Sequence, residues 1–139
     1  FSGARFANGL ARRDAGDFAL AATREDHILL FTEQNGKPVL RARLKTPGGP
    51  DNIAYDPSGR IIAAVHPSLF RLMLARKLGI GRAPSRVIEV DPANREVRVL
   101  FDDPKGALFS AATAAVRFKD TLIAGSVLDE GLLVCRARR

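Results

Sequence analysis

Short apolar runs of β type, each closed by a turn signal, recur along almost the whole sequence, and only one stretch has helical periodicity. Such runs cannot make a core singly, so the chain must stack sheets to bury its apolar faces. Phe18–Thr23 leads into the charged turn Arg24-Glu25-Asp26 and then His27–Thr32. Asn35-Gly36 follows, a pair that tolerates the positive φ of a tight hairpin. Val39–Leu44 alternates apolar and basic residues, as a half-exposed outer strand does. Gly48-Gly49-Pro50 breaks the pattern, which restarts with Asn52–Tyr55, the turn Asp56–Gly59, Ile61–Val65, Arg86–Val90, the turn Asp91–Asn94 and Glu96–Phe101. A third start at Ala111–Phe118 is followed by Leu122–Val127 and Leu132–Val134.

Asn8 and Asn52 open equivalent strands 44 residues apart, close to the ~40–45-residue period of a four-stranded propeller blade. The expected fold is all-β, a partial β-propeller of three blades over about 1–46, 47–104 and 105–139, the last without its outer strand. An open stack leaves sheet edges and faces uncovered that a closed ring protects. Further N-terminal blades are therefore expected from a longer parent, and an opening at Phe1 rather than methionine agrees with a cut end. The second group carries an extra segment, Pro67–Pro84. There Leu69, Phe70, Leu72, Met73, Leu74 and Leu78, with Arg71, Arg76 and Lys77 between them, fit a short amphipathic helix that Gly79 and Gly81 end. Two roles stay open for it, a cover over a blade edge or a lid or membrane-facing helix, so membrane association through residues 67–80 is one expectation.

Composition narrows the function classes. With 46% hydrophobic and 27% charged residues, the 139-residue chain has the balance of a globular domain. A net charge of +7 invites a nucleic-acid reading. The basic residues are scattered, however, at Arg12-Arg13, Arg41/Arg43, Arg71, Arg76-Lys77 and Arg95/Arg98, and they read as solvated charge on strand edges. With no Trp and one Tyr, single-strand stacking platforms are poorly supplied, and no nucleic-acid partner is expected. Arg136, Arg138 and Arg139 read as a soluble tail. One cysteine, Cys135, excludes an internal disulfide and Cys-cluster zinc chemistry.

Four stretches in order carry a family resemblance: Phe6-Ala-Asn-Gly-Leu10, Pro50-Asp-Asn-Ile53, His66-Pro67 after an apolar strand, and Leu122-Ile-Ala-Gly-Ser-Val127 running to Cys135. Together they resemble the paraoxonase/arylesterase family, calcium-dependent lactonases built on a six-bladed propeller with a metal in the central tunnel. The resemblance implies that Asn8, Asp51 and Asn52 are Ca2+ ligands, chemistry that suits a hard cation preferring oxygen donors. Turn capping is the alternative use of such Asn residues. His66 would line the pocket beside the ion, as a pocket histidine and not the principal base. Phe6, Phe70 and Met73 are candidates for an apolar substrate pocket, and each is equally explained as core. His27 reads as structural. The implied reaction is hydrolysis of a lactone or aryl ester, the metal polarising the carbonyl while a base activates water. That base and the remaining ligands belong to the family's N-terminal half, so this chain alone is expected to be inactive. Cys135 stands where the family places a disulfide-bonded cysteine whose partner this sequence lacks. The insertion at Pro67–Pro84 also resembles strictosidine-synthase-like propellers, which would make the chain a binding module or give it other chemistry. A gluconolactonase-type sugar-lactone hydrolase is the third reading.

Overall fold

The computed structural model describes residues 3–13 and 16–136. Phe1, Arg138 and Arg139, invoked above as a cut end and a solvated tail, lie outside the described residues. Within them the fold is antiparallel β-sheet in three sheets, with one helical insertion. The first sheet takes β1 (Ala7–Arg12), β2 (Asp17–Ala22), β3 (His27–Gln34) and β4 (Lys37–Lys45) side by side in chain order. The second takes β5 (Gly49–Tyr55), β6 (Ile61–His66), β7 (Ser85–Asp91) and β8 (Glu96–Asp103), and the third β9 (Ala112–Phe118), β10 (Thr121–Ser126) and β11 (Leu132–Arg136). The first strands of the three sheets approach one another, β1 against β5 and β5 against β9.

Local chemistry explains the corners. Asn35 (φ 53°) and Gly36 (φ 74°) adopt the left-handed conformation that the β3–β4 hairpin requires. The helix α1 (Leu69–Leu78) starts where the Ser68 side chain accepts the Arg71 N–H at 3.2 Å and stops at Gly79, φ 65°. The expected break at Gly48-Gly49-Pro50 is instead the start of β5. A Cβ on Gly49 would lie 2.5 Å from the Thr23 carbonyl oxygen, so glycine permits an approach of β5 to the turn after β2 that is too close for other residues.

Burial differs among the sheets, and the difference follows from the alternation of side chains. The second sheet buries both faces. Ile61, Ala63, Val65, Ile88 and Val90 pack against Ala19, Ala21, Ile28 and Leu30 of the first sheet. On the other side Ile62 and Val87 pack against Ala115, Leu122 and Ala124 of the third. The third sheet buries only that one face. Its opposite face aligns Val116, Ile123 and Val134 across the three strands, flanked by Phe118 at 63% and Leu132 at 69% exposure. These are apolar residues that alternate correctly for a core they do not meet among the described residues.

Two expectations about basic residues need correcting. Arg71 is not simply solvated, since its guanidinium donates to the carbonyls of Pro104 (2.8 Å) and Arg82 (2.8 Å) and ties α1 to the following loop. Arg98 is likewise engaged, donating to the buried Glu89 at 2.8 Å. Both partners lie in separate elements, so local charge scatter does not reveal them.

Candidate functional site

One construction is repeated at the head of all three innermost strands. The residue just before each strand has positive φ: Phe6 (57°), Gly48 (126°) and Ala111 (53°). Left-handed backbone is uncommon for a residue as bulky as Phe6 and costs about 1 kcal/mol or more, so the surroundings must enforce it. Within its first few residues each strand then slips register. The pairing jumps from Ala7 to Leu10 in β1, from Pro50 to Ile53 in β5, and from Ala112 to Ala114 in β9. The residues left in the bulges are Asn8-Gly9, Asp51-Asn52 and Thr113. A bulge re-aims side chains and recurs beside functional sites.

The three bulges meet. Asn8 Nδ2 donates to Asp51 Oδ1, and Asn52 Nδ2 donates to the Thr113 carbonyl at 2.9 Å. Asn8 thus faces Asp51, 43 residues away, across the heads of β1 and β5. Gly9 makes the approach possible: a Cβ there would lie 2.3 Å from the Asp51 carbonyl oxygen and 2.9 Å from Asn52 Cα. Thr23 fixes the strand from beneath, its hydroxyl donating to the Pro50 carbonyl at 2.7 Å. The chain enters β9 through a loop organised by Asp103, whose carboxylate accepts the N–H groups of Ala107 (3.1 Å), Leu108 (2.7 Å) and Phe109 (3.0 Å). Burial opposes ionisation of Asp103, and these backbone donors outweigh it and hold the carboxyl below its usual range.

Asp51 is buried, at 8% exposure, while Asn8 and Asn52 reach the open space above it. His66, 4% exposed, donates from Nε2 to Asp51 Oδ2 at 3.0 Å, and its Nδ1 has no hydrogen-bond partner. A neutral ring protonated on Nε2 leaves Nδ1 as an unpaired acceptor, which is less costly in a buried place than an unpaired donor. No arginine or lysine pairs with Asp51 among the described residues. Its charge is met by two amides and an imidazole.

These residues line an open cavity of about 730 Å³. Every sequence-predicted site residue is on its wall: Asn8, Asp51, Asn52 and His66, with Phe6, Phe70 and Met73. Phe70 and Met73 come from α1, and Phe6 has the Arg24 guanidinium over its ring at 5.6 Å from the centroid. Sequence reasoning missed Thr23, Arg24 and Thr113 as wall residues, together with the His66–Asp51 bond. Only the strand-head equivalence of Thr113 with Asn8 and Asp51 could have flagged one of them. His27, read as structural, places Nδ1 against the Glu25 carbonyl. Cys135 is a free thiol packed beside the second core cluster.

A different polar cluster closes the other end of the same strands. Glu89 is buried at 4% exposure and receives Arg60 at 2.9 Å, Arg98 at 2.8 Å and Arg117. Arg117 also donates to Asp56 at 2.6 Å. Burial works against ionisation of Asp56, and the hydrogen bonds from Ser58, Arg60 and Arg117 outweigh it and lower its pKa.

The chemistry at Asp51 fits a hard divalent cation. The donors are one carboxylate, two amides and a peptide carbonyl, all able to offer oxygen. A half-turn of either Asn amide exchanges Nδ2 for Oδ1, so the same placement provides either donors to Asp51 or oxygens beside it. No group of three or more His, Cys, Asp or Glu suited to a metal occurs among the described residues. The Asp51 cluster has two such residues and draws its other donors from amides and backbone. No model of a known protein family matches this chain, and no curated protein matches it.

Proposed function

We propose that this chain forms part of a ring-shaped β-propeller and carries one side of a calcium-dependent hydrolase site for lactones or aryl esters. The observation that carries the reading is the meeting of three strand-head bulges on Asn8, Asp51-Asn52 and Thr113, at the bottom of a cavity with an apolar wall. The apolar outer face of the third sheet supports the ring, because a further sheet packed there would repeat the contact already made between the second and third. Two of the four stretches that resemble paraoxonase/arylesterase sequences supply Asn8 and Asp51-Asn52, and Thr113 lies outside them.

In this reading Asn8, Asp51 and Asn52 hold calcium, and the rest of its roughly 6–8 oxygen ligands come from water and from sheets beyond this chain. Calcium supplies Lewis acidity at an ester carbonyl and charge stabilisation for its oxygen. His66 positions the Asp51 carboxylate through Nε2. Phe6, Phe70 and Met73 receive the apolar part of the substrate and exclude water from it. The water-activating base lies outside these residues, so the chain by itself has little or no activity. The insertion α1 on the cavity wall favours one second reading, a strictosidine-synthase-like propeller used for binding or other chemistry.

The test is hydrolysis of phenyl acetate and a δ-lactone by the full-length polypeptide, with and without a calcium chelator. The hydrolase reading expects turnover that chelation abolishes and calcium restores, and Asn52→Ala to weaken calcium binding and turnover together. Turnover indifferent to chelation, or absent with both substrates, contradicts it.

A further inference from the structure

We infer that the cavity above Asp51 selects substrates bearing an anionic group on an apolar body, such as an ester or lactone with a free carboxylate. This rests on the hydrolase reading and specifies its substrate class. The wall carries three cations, Arg24, Arg76 and Lys77. None has an acidic partner among the described residues. The cavity's one acid, Asp51, is buried beneath the amides and bonded to His66.

The segment Pro67–Pro84 holds Arg71, Arg76, Lys77 and Arg82 and no acidic residue. Two of these cations are structural. Arg71 is spent on backbone carbonyls, and Arg82 pairs with Asp129 at 2.5 Å. Arg76 and Lys77 are exposed and unpaired. Phe70, Met73 and Lys77 are three and four residues apart, as are Leu69, Met73 and Arg76, so apolar and cationic groups share one face of α1. Arg24, from the turn after β2, adds a cation beside Phe6. A ligand satisfying this wall lays an aryl or acyl body on Phe6, Phe70 and Met73 and directs a negative charge to the three cations.

The experiment compares kcat/KM of the full-length polypeptide on 4-acetoxybenzoate and on its methyl ester, which share the scissile bond and differ in charge. At low salt the charged ester is favoured on the order of tenfold, as two or three solvent-exposed charge contacts supply. The preference shrinks at about 0.5 M salt, where the Debye length falls to about 4 Å and screens exposed charges. In the double variant Arg76→Gln/Lys77→Gln the ratio falls about tenfold. Lys37→Gln, in the β3–β4 hairpin outside the cavity, removes one charge and keeps the ratio. A wild-type preference for the neutral ester, or an equal loss on both esters in the double variant, overturns the inference. If neither ester is hydrolysed the hydrolase reading fails separately, and calorimetric binding of 4-hydroxybenzoate decides. Binding weakened about tenfold by the double variant sustains the anion site, and absence of binding overturns it. An unchanged ester ratio together with lost co-sedimentation on phosphatidylglycerol vesicles would assign the cations to a lipid surface and overturn it as well.

Discussion

The second sheet carries two buried acids, Asp51 on β5 and Glu89 on β7, and the surroundings treat them in opposite ways. Glu89 is surrounded by Arg60, Arg98 and Arg117, and Arg117 reaches on to Asp56. Asp51, about 16 Å along the chain from Asp56 at ~3.3 Å per residue, has amides and a histidine instead. A carboxylate already neutralised by guanidinium groups has little left to offer a cation. One held among oxygen-bearing amides at a cavity floor retains its charge for a ligand. The contrast separates a structural cluster from a candidate site made of the same residue types.

The largest expected effect of breaking this contrast is at the arginine end. Glu89→Gln leaves three guanidinium groups facing a neutral buried side chain and is expected to cost about 3 kcal/mol in urea unfolding, with calcium binding retained. A cost below about 1 kcal/mol would mean that the cluster is solvated and that the comparison does not hold. Gly9→Val comes next. Its Cβ would stand 2.3 Å from the Asp51 carbonyl oxygen, so β1 must move away from β5. The expected loss is about 2 kcal/mol, together with any calcium-dependent stabilisation, because Asn8 leaves Asp51. Asp51→Asn should alter stability by less than about 1 kcal/mol in chelator, since no cation loses a partner and His66 keeps an acceptor. The same variant should lose the rise in Tm that calcium gives the parent protein.

The smallest effect is on pH. The folded-state pKa values of Asp56 and Asp103 are lowered from 3.8. The stability they contribute is therefore complete above that value and disappears as pH falls through the lowered ones. Acid unfolding monitored by circular dichroism should begin below about pH 4, and Asp103→Asn should flatten that limb while leaving calcium binding unchanged.

Much of this architecture was legible because it is local. Asn35-Gly36 announces its hairpin, Gly79 ends α1, and the apolar runs mark the strands. Of the wall residues, Asn8, Asp51, Asn52 and His66 followed from the family resemblance, and Phe70 and Met73 from the helical pattern of Pro67–Pro84. What escaped is what depends on register and distance. Bulges at Asn8-Gly9, Asp51-Asn52 and Thr113 leave no periodic mark, so the spacing does not reveal the bond between Asn8 and Asp51. Gly48-Gly49-Pro50 read as a break because nothing in the sequence reveals that Gly49 must nestle against Thr23. Glu89 and its arginines come from β7, β8, β9 and the turn before β6, so their charges looked scattered.

The account stands most directly on calcium binding at Asp51, measured by isothermal titration calorimetry on the full-length polypeptide. Calcium should bind the parent protein, fail to bind Asp51→Asn, and bind Asp102→Asn normally, because Asp102 is engaged with Arg86 at 3.0 Å away from the cavity. Equal binding in all three proteins, or in none, would contradict the assignment of Asp51 and its amide neighbours to a metal.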